Sequence, residues 1–338
     1  MAELATRAPR ILGSELVTLY LGGGTPSRLG GPGLASLVHG ILESPAVEGS
    51  STAGGVEITI EANPEDVTPV AVSAWAGAGV SRVSLGVQSF AEPVLRWMHR
   101  EHSADAAARA VGTLRDGGIQ DISLDLIFAV PAGLERDWDD DLSKALALEP
   151  SHLSVYGLTV EPRTPLGRWH ASGQVQEAPE ERYEQEFLRA DERLSAAGFV
   201  HYEVSNYGRP GHRARHNSAY WSGARYLGLG PAAHGFDGVR RRWNRAAFAD
   251  WLRAVEQGLD PIAGDESIGP AESAAEAVYI GLRTADGIHI RENEMKTVTR
   301  WVEEGWASMA GSHLSLTPAG WLRLDALAAV LTSLRSHS

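Results

Sequence analysis

The sequence predicts a β/α barrel followed by a smaller C-terminal helical domain of winged-helix type, and three observations predict it. An apolar strand runs straight into a polar or glycine-rich turn four times in the first 131 residues. Helical stretches lie between these strands, and that alternation gives parallel strands with crossover helices. The region after residue 260 changes to helix, helix, short strand and helix. Polar groups repeated at the C-terminal ends of successive strands are how such a barrel assembles one site from many segments.

The elements read in order as follows. Leu16–Leu21 is a strand ending in Gly22-Gly23-Gly24-Thr25-Pro26, and a helix follows over Gly33–Leu42. Val56–Ile60 runs into Glu61-Ala62-Asn63-Pro64, with a helix over Val70–Ala78. Val83–Val87 precedes Gln88-Ser89-Phe90. The Ala-rich helix Ser103–Arg115 stops at Gly117-Gly118. Ile122–Phe128 surrounds Asp125 and ends before Pro131, and a helix follows over Asp137–Leu148. Leu153–Leu158 is a further strand, succeeded by the loop Glu161–Pro165, the long amphipathic helix Ala178–Ala197 and the strand Val200–Val204. Asn206–Trp243, rich in Gly, Arg, Tyr and Trp, reads as a long functional loop. Residues 260–272 read as a linker, because they contain Pro261, Gly264, Gly269 and Pro270. Helices near Ala271–Leu282 and Arg291–Glu304 and a strand Leu314–Leu316 follow. Thr317-Pro318 is an N-cap with proline at the first helical position. The division expected is 1–205 for the barrel, 206–259 for a loop and helix region, and 260–338 for the tail.

Composition limits the function classes. The chain has 338 residues, 43% of them hydrophobic, and a net charge of −13. Such acidity argues against nucleic acid or anionic lipid as a partner. Arg240-Arg241-Arg242 with Arg245 is the local exception, read as a solvated loop or as a fork for a carboxylate-bearing ligand. The N-terminal apolar stretch is broken by Ser14 and Glu15, and no membrane-length apolar run occurs, so a cytoplasmic location is expected. There is no cysteine, hence no disulfide, thiolate nucleophile or cysteine-held metal within this chain.

The candidate site residues each have two readings. The Gly22–Gly24 turn is a cradle of bare N–H groups for a carboxylate or phosphate, or simply a tight turn. Glu61 is a surface carboxylate or an acceptor for a ribose diol. Gln88 satisfies local backbone or faces a ligand. Asp125, inside Leu124–Leu126, needs a partner or a ligand to offset its burial. His216 stands apart from most of the twelve histidines because Asn217, Tyr220 and Trp221 accompany it. Neutral imidazole is a common axial ligand of haem iron and the aromatics offer flat apolar surface; the other reading is a structural loop over the barrel mouth.

Taken in order, YLGGGTP, IEANP, VSLGVQSF, DLIFAVP, HLSVYGLTVEPRTPL, RHNSAYW and the C-terminal LSLTPAGW resemble the HemW family of radical S-adenosylmethionine proteins, haem chaperones related to oxygen-independent coproporphyrinogen III oxidase. The resemblance covers nearly the whole chain. Its HNxxYW element, His216 to Trp221, is associated with the chaperone branch. It implies that Gly23, Gly24 and Thr25 face the methionyl end of S-adenosylmethionine and that Glu61, Gln88 and Asp125 contact that cofactor. Arg100 would clamp the methionine carboxylate, and His234 would lie in a loop closing near the site. The implied ligands are S-adenosylmethionine, haem and a 4Fe-4S cluster. The implied partners are haem-acceptor proteins, including peripheral contact with membrane haem enzymes.

The departures are as informative. The family's CxxxCxxC loop and the strand before it have no counterpart here, so the barrel is expected to be incomplete and to lack the cluster ligands. A shortened record of the natural sequence is the favoured explanation, a cluster-free relative the other. Ala129 stands where the family's GLPxQT element has a glycine, and His99 replaces a glycine beside Arg100. The expected function is haem binding and delivery on an S-adenosylmethionine-binding scaffold that is not catalytic as it stands. A porphyrinogen oxidase and a non-catalytic interaction protein are the alternatives.

Overall fold

A computed structural model describes residues 1–7, 15–45, 47, 55–162 and 164–336. Ser14 and, in the expected loop 161–165, Arg163 lie outside the described residues. Seven strands form a curled sheet: β1 (Thr18–Leu21), β2 (Glu57–Ala62), β3 (Arg82–Gln88), β4 (Asp121–Phe128), β5 (His152–Gly157), β6 (Val200–Glu203) and β7 (Asn206–Gly208), in the order β1-β2-β3-β4-β5-β7-β6. Strands β1 to β5 pair in parallel. Strand β7 is antiparallel to both of its neighbours. The segment expected to continue the parallel run therefore forms a hairpin, because Val204 and Ser205 are too short a link for anything but antiparallel pairing.

The helices of this half are α1 (Ala2–Arg7), α2 (Gly30–Leu42), α3 (Pro69–Gly77), α4 (Glu92–Trp97), α5 (Ala104–Asp116), α6 (Trp138–Ala147), α7 (Pro165–Ala171) and α8 (Glu180–Ala196), and α2, α3, α5, α6 and α8 cover the outer face of the sheet. Local chemistry sets their starts. Thr68, Ser103 and Asp137 each accept hydrogen bonds from first-turn amides of α3, α5 and α6. Strand side chains such as Ile60, Val83, Leu85, Ile122, Leu124 and Leu153 join α2, α3, α5, α6 and α8 in one continuous core.

The long region after β7 is more ordered than a loop. It holds α9 (Arg215–Trp221), β8 (His234–Phe236), β9 (Arg240–Asn244), α10 (Phe248–Glu256) and β10 (Ile262–Ser267), with sheet order β10-β9-β8. Two expectations change here. HNxxYW is helical, and residues 262–267 are a strand rather than a linker, paired antiparallel with β9. Charge supports that pairing where Arg240 meets Asp265 across the strands at 3.2 Å, while Arg242 pairs with Asp260 at 3.0 Å before β10 and Arg241 with Glu276 beyond the sheet. Helix α1 docks on this region, where Glu3 accepts from Gly230 N and Trp251 Nε1, and Arg7 donates to the Asn244 side chain.

The tail comprises α11 (Pro270–Arg283), β11 (Ile288–His289), α12 (Met295–Glu303), β12 (Ala307–Ala310), β13 (His313–Leu316), α13 (Pro318–Trp321) and α14 (Leu324–Ser336). Its sheet runs β11-β13-β12, and Thr317 caps α13 through Gly320 N at 3.2 Å. Val278, Leu282, Trp321 and Leu331 belong to the same core as the barrel. Among the described residues no helix is long and apolar enough to cross a membrane.

Candidate functional site

The concave face of the sheet encloses a cavity of about 370 Å³. Its walls follow from alternation: in a strand every second side chain points to the same face. Tyr20 from β1, Glu57, Thr59 and Glu61 from β2, and Arg82, Ser84 and Gln88 from β3 face inward. Ser123 and Asp125 from β4, and His152, Ser154 and Tyr156 from β5, complete the wall. Almost every inward position is polar.

Glu61 organises the rim. It accepts from Tyr20 Oη at 2.6 Å and from Gly23 N at 3.2 Å, tying the glycine turn to β2. The turn needs its glycines for two reasons. A Cβ on Gly22 would fall 2.4 Å from the Tyr20 ring and 2.7 Å from Glu61 Oε1, and Gly23 has φ of 78°. Burial and the Glu61 carboxylate push the Tyr20 hydroxyl well above its ordinary pKa. A bulge in β3 delivers Gln88 to the cavity at φ 68°, a strained value for a side-chain-bearing residue. Arg100 Nη1 donates to Asn63 Oδ1 at 3.1 Å.

Deeper in, Asp125 accepts from Ser84 Oγ at 2.9 Å. Desolvation by the surrounding wall pushes its pKa up to about 6, against the opposing effect of the serine hydroxyls. The Thr59 hydroxyl is buried with no hydrogen-bond partner among the described residues. His152 is held between Ser123 Oγ and Tyr202 Oη, both at 2.8 Å, and burial keeps it neutral.

Helix α9 closes one side of the mouth. His216 stacks on Tyr20, with centroids 4.7 Å apart and planes 12° apart. Its Nδ1 lies 2.8 Å from Thr18 Oγ1 and its Nε2 lies 2.9 Å from Tyr220 Oη. Burial lowers its pKa to about 4, so the ring is neutral near pH 7.

Of the residues singled out from sequence, Gly24, Thr25, Glu61, Gln88, Arg100, Asp125, His216 and Asn217 line this one cavity. Gly23 sits at its rim through Glu61. Three do not line it. Tyr220 reaches outward, bonded to His216 and packed edge-on against Tyr226. Trp221 turns to the opposite side of α9, under the Arg283 guanidinium, and lines a separate cavity of about 250 Å³. His234, expected near the site, sits on β8 stacked with Trp243, because its segment pairs into the second sheet. Sequence reasoning missed Tyr20, Glu57, Thr59, Asn63, Arg82, Ser84, Ser123, His152, Ser154 and Tyr156. Apart from Asn63, which follows β2, the signal for these residues lies in the period-two polar positions of the strands.

A model of the radical SAM superfamily matches residues 2–145. The heme chaperone HemW of Mycobacterium tuberculosis is 34% identical over 333 residues, covering 98% of this chain and 84% of that protein. The chain belongs to the HemW family. The Synechocystis HemW is 37% identical over 280 residues, covering 82% of this chain and 66% of its own. Among solved structures, the coproporphyrinogen III oxidase HemN of Escherichia coli has a TM-score of 0.77 at 18% identity, covering 97% of this chain and 80% of that one. That likeness shows a shared fold, the curled radical-SAM half-barrel. Ala129 and His99 both have positive φ, 54° and 53°. The left-handed backbone favours glycine at both positions, and this chain supplies side chains there.

Proposed function

We propose that this chain is a haem chaperone that holds haem through His216 and passes it to acceptor proteins, on a scaffold that binds S-adenosylmethionine in its lumen. The observation that carries the reading is the state of His216. Its ring is neutral, oriented by Tyr20 and Thr18, and bonded at Nε2 to the hydroxyl of the exposed Tyr220. A neutral imidazole that can exchange one hydrogen bond for the metal is what ferric or ferrous haem takes as an axial ligand, and at His216 that bond is the one from Nε2 to Tyr220. Tyr220 and Tyr226 provide flat surface beside it. Trp221, on the far side of α9, supports the helix instead.

The lumen fits S-adenosylmethionine by its donor set. Arg100 and the glycine-turn amides suit a carboxylate, while Glu61 and Asp125 suit hydroxyls. The orphaned Thr59 hydroxyl and the strained Gln88 are features a polar ligand would explain. Bound there, the cofactor would supply its sulfonium and adenosyl groups; haem would supply an iron open to imidazole. A 4Fe-4S cluster does not fit the residues present, because the chain has no cysteine and, among the described residues, no cluster of three or more other ligating side chains. No step is assigned to it. The acceptor role and a cytoplasmic location belong to the same proposal.

The test is haem titration of the purified chain against His216→Ala. A shifted Soret band and affinity weakened several-fold support the reading, the scale expected for losing one axial ligand. Identical spectra and affinities for variant and parent remove His216 from the ligand set. Calorimetry with S-adenosylmethionine tests the lumen, where Arg100→Ala is expected to weaken binding.

A further inference from the structure

Helix α9 is held by a residue from another strand. Its N-cap position, Ala214, has no side-chain hydrogen bond to offer the first turn. Glu57 of β2, only 8% exposed, fills that role, accepting from Arg215 N at 3.1 Å and from His216 N at 3.0 Å. A carboxylate at bare helix-start amides makes charge-assisted hydrogen bonds and meets the positive end of the peptide dipoles. Glu57 is also the Cα partner of Thr18 in the parallel β1–β2 ladder. Two residues in register thus hold the two handles of His216: Glu57 its backbone N–H, Thr18 its ring Nδ1.

The geometry points to Glu57 and Thr18 as a paired positioning device for the haem ligand, resting on the reading of His216 given above. Iron would take Nε2 only with the ring proton on Nδ1, and the Thr18 hydroxyl, 2.8 Å away, is placed to accept that proton's hydrogen bond and so to support this tautomer. Glu57 sets where the ring stands by fixing the first turn of α9. Tyr220 then competes with iron for the same nitrogen and is the group displaced on loading. The division of labour matters because stacking on Tyr20 fixes the plane of the ring but neither its tautomer nor its depth.

The experiment uses the full chain with Glu57→Ala, Glu57→Gln, Thr18→Val and Thr18→Ser, alongside His216→Ala. Without haem, amide hydrogen exchange at Arg215 and His216 is expected to quicken about tenfold or more in Glu57→Ala, the scale of losing a hydrogen bond to a charged group. Glu57→Gln, which keeps an acceptor, restores most of the protection. In ferric haem titration, Glu57→Ala and Thr18→Val are expected to move the Soret band toward that of His216→Ala and to weaken haem several-fold. Thr18→Ser keeps the parental spectrum, and Thr18→Val leaves exchange in α9 unchanged. Parental exchange in Glu57→Ala overturns the proposal. So do parental spectra in Glu57→Ala and Thr18→Val where His216→Ala is altered, and that pattern leaves His216 as ligand intact. A parental spectrum in His216→Ala instead overturns both readings together.

Discussion

The two faces of strands β1 to β5 are built from the same residues in alternation, yet they do opposite things. Outward, Ile58, Ile60, Val83, Leu85, Ile122, Leu124 and Leu153 are almost wholly buried against helices. Inward, Thr59, Glu61, Arg82, Ser84, Ser123, Asp125, His152 and Ser154 surround a cavity. The outer face supplies the hydrophobic stabilisation that closes the sheet into a half-barrel. The inner face carries the desolvated Asp125 carboxyl and, among the described residues, the unpartnered Thr59 hydroxyl, which cost stability in the absence of a ligand. In a barrel whose lumen is a packed core, both faces would be apolar.

The largest effect should come from breaking the outer face. Leu124→Ala, at a fully buried position, is expected to lower stability in urea by about 2–5 kcal/mol, with little effect on lumen chemistry. A loss below about 1 kcal/mol would mean that the outer face is not the main source of stability.

Asp125→Asn attacks the inner face and should act in the opposite direction. The folded pKa of Asp125 is raised to about 6 from the ordinary 3.8, so the folded protein binds the extra proton between those values. The penalty is therefore full above pH 6 and disappears as pH falls through 3.8. The variant is expected to be more stable than the parent at pH 8 by roughly 2–3 kcal/mol and to lose that advantage near pH 3.5, while binding S-adenosylmethionine more weakly. A pH-independent difference would show that desolvation is not what burdens this carboxyl.

A third test concerns the turns that end these elements. Ala129→Gly and His99→Gly should each stabilise by about 1 kcal/mol in thermal or chemical unfolding, because both replace a side chain at positive φ. Destabilisation by either would mean that its side chain contributes more than the backbone strain costs. The smallest effect is Thr59→Val, which removes an unpartnered buried hydroxyl. Stability is expected to rise by up to about 1 kcal/mol while cofactor affinity falls; unchanged affinity would show that the hydroxyl serves no ligand.

Much of this was determined by the sequence alone. The order of the barrel strands and their helices, the glycine turn and the cap at Thr317 are local, and local chemistry is written in neighbouring residues. The same holds for Glu61, Gln88 and Asp125, which lie in the C-terminal halves of their strands, where a parallel barrel gathers its site. What only the tertiary structure decided involves residues distant in the chain. The β6–β7 hairpin interrupts the parallel order, residues 262–267 become a strand because β9 is there to pair with them, and His234 is drawn into that second sheet. HNxxYW divides between two sides of a helix, so His216 and Trp221, five residues apart, face different cavities. Glu57 gave no local sign of its role, because the amides it holds belong to Arg215 and His216 and are brought to it only when the sheet closes. Periodicity tells a strand which side is which; only packing tells each side chain what it will meet.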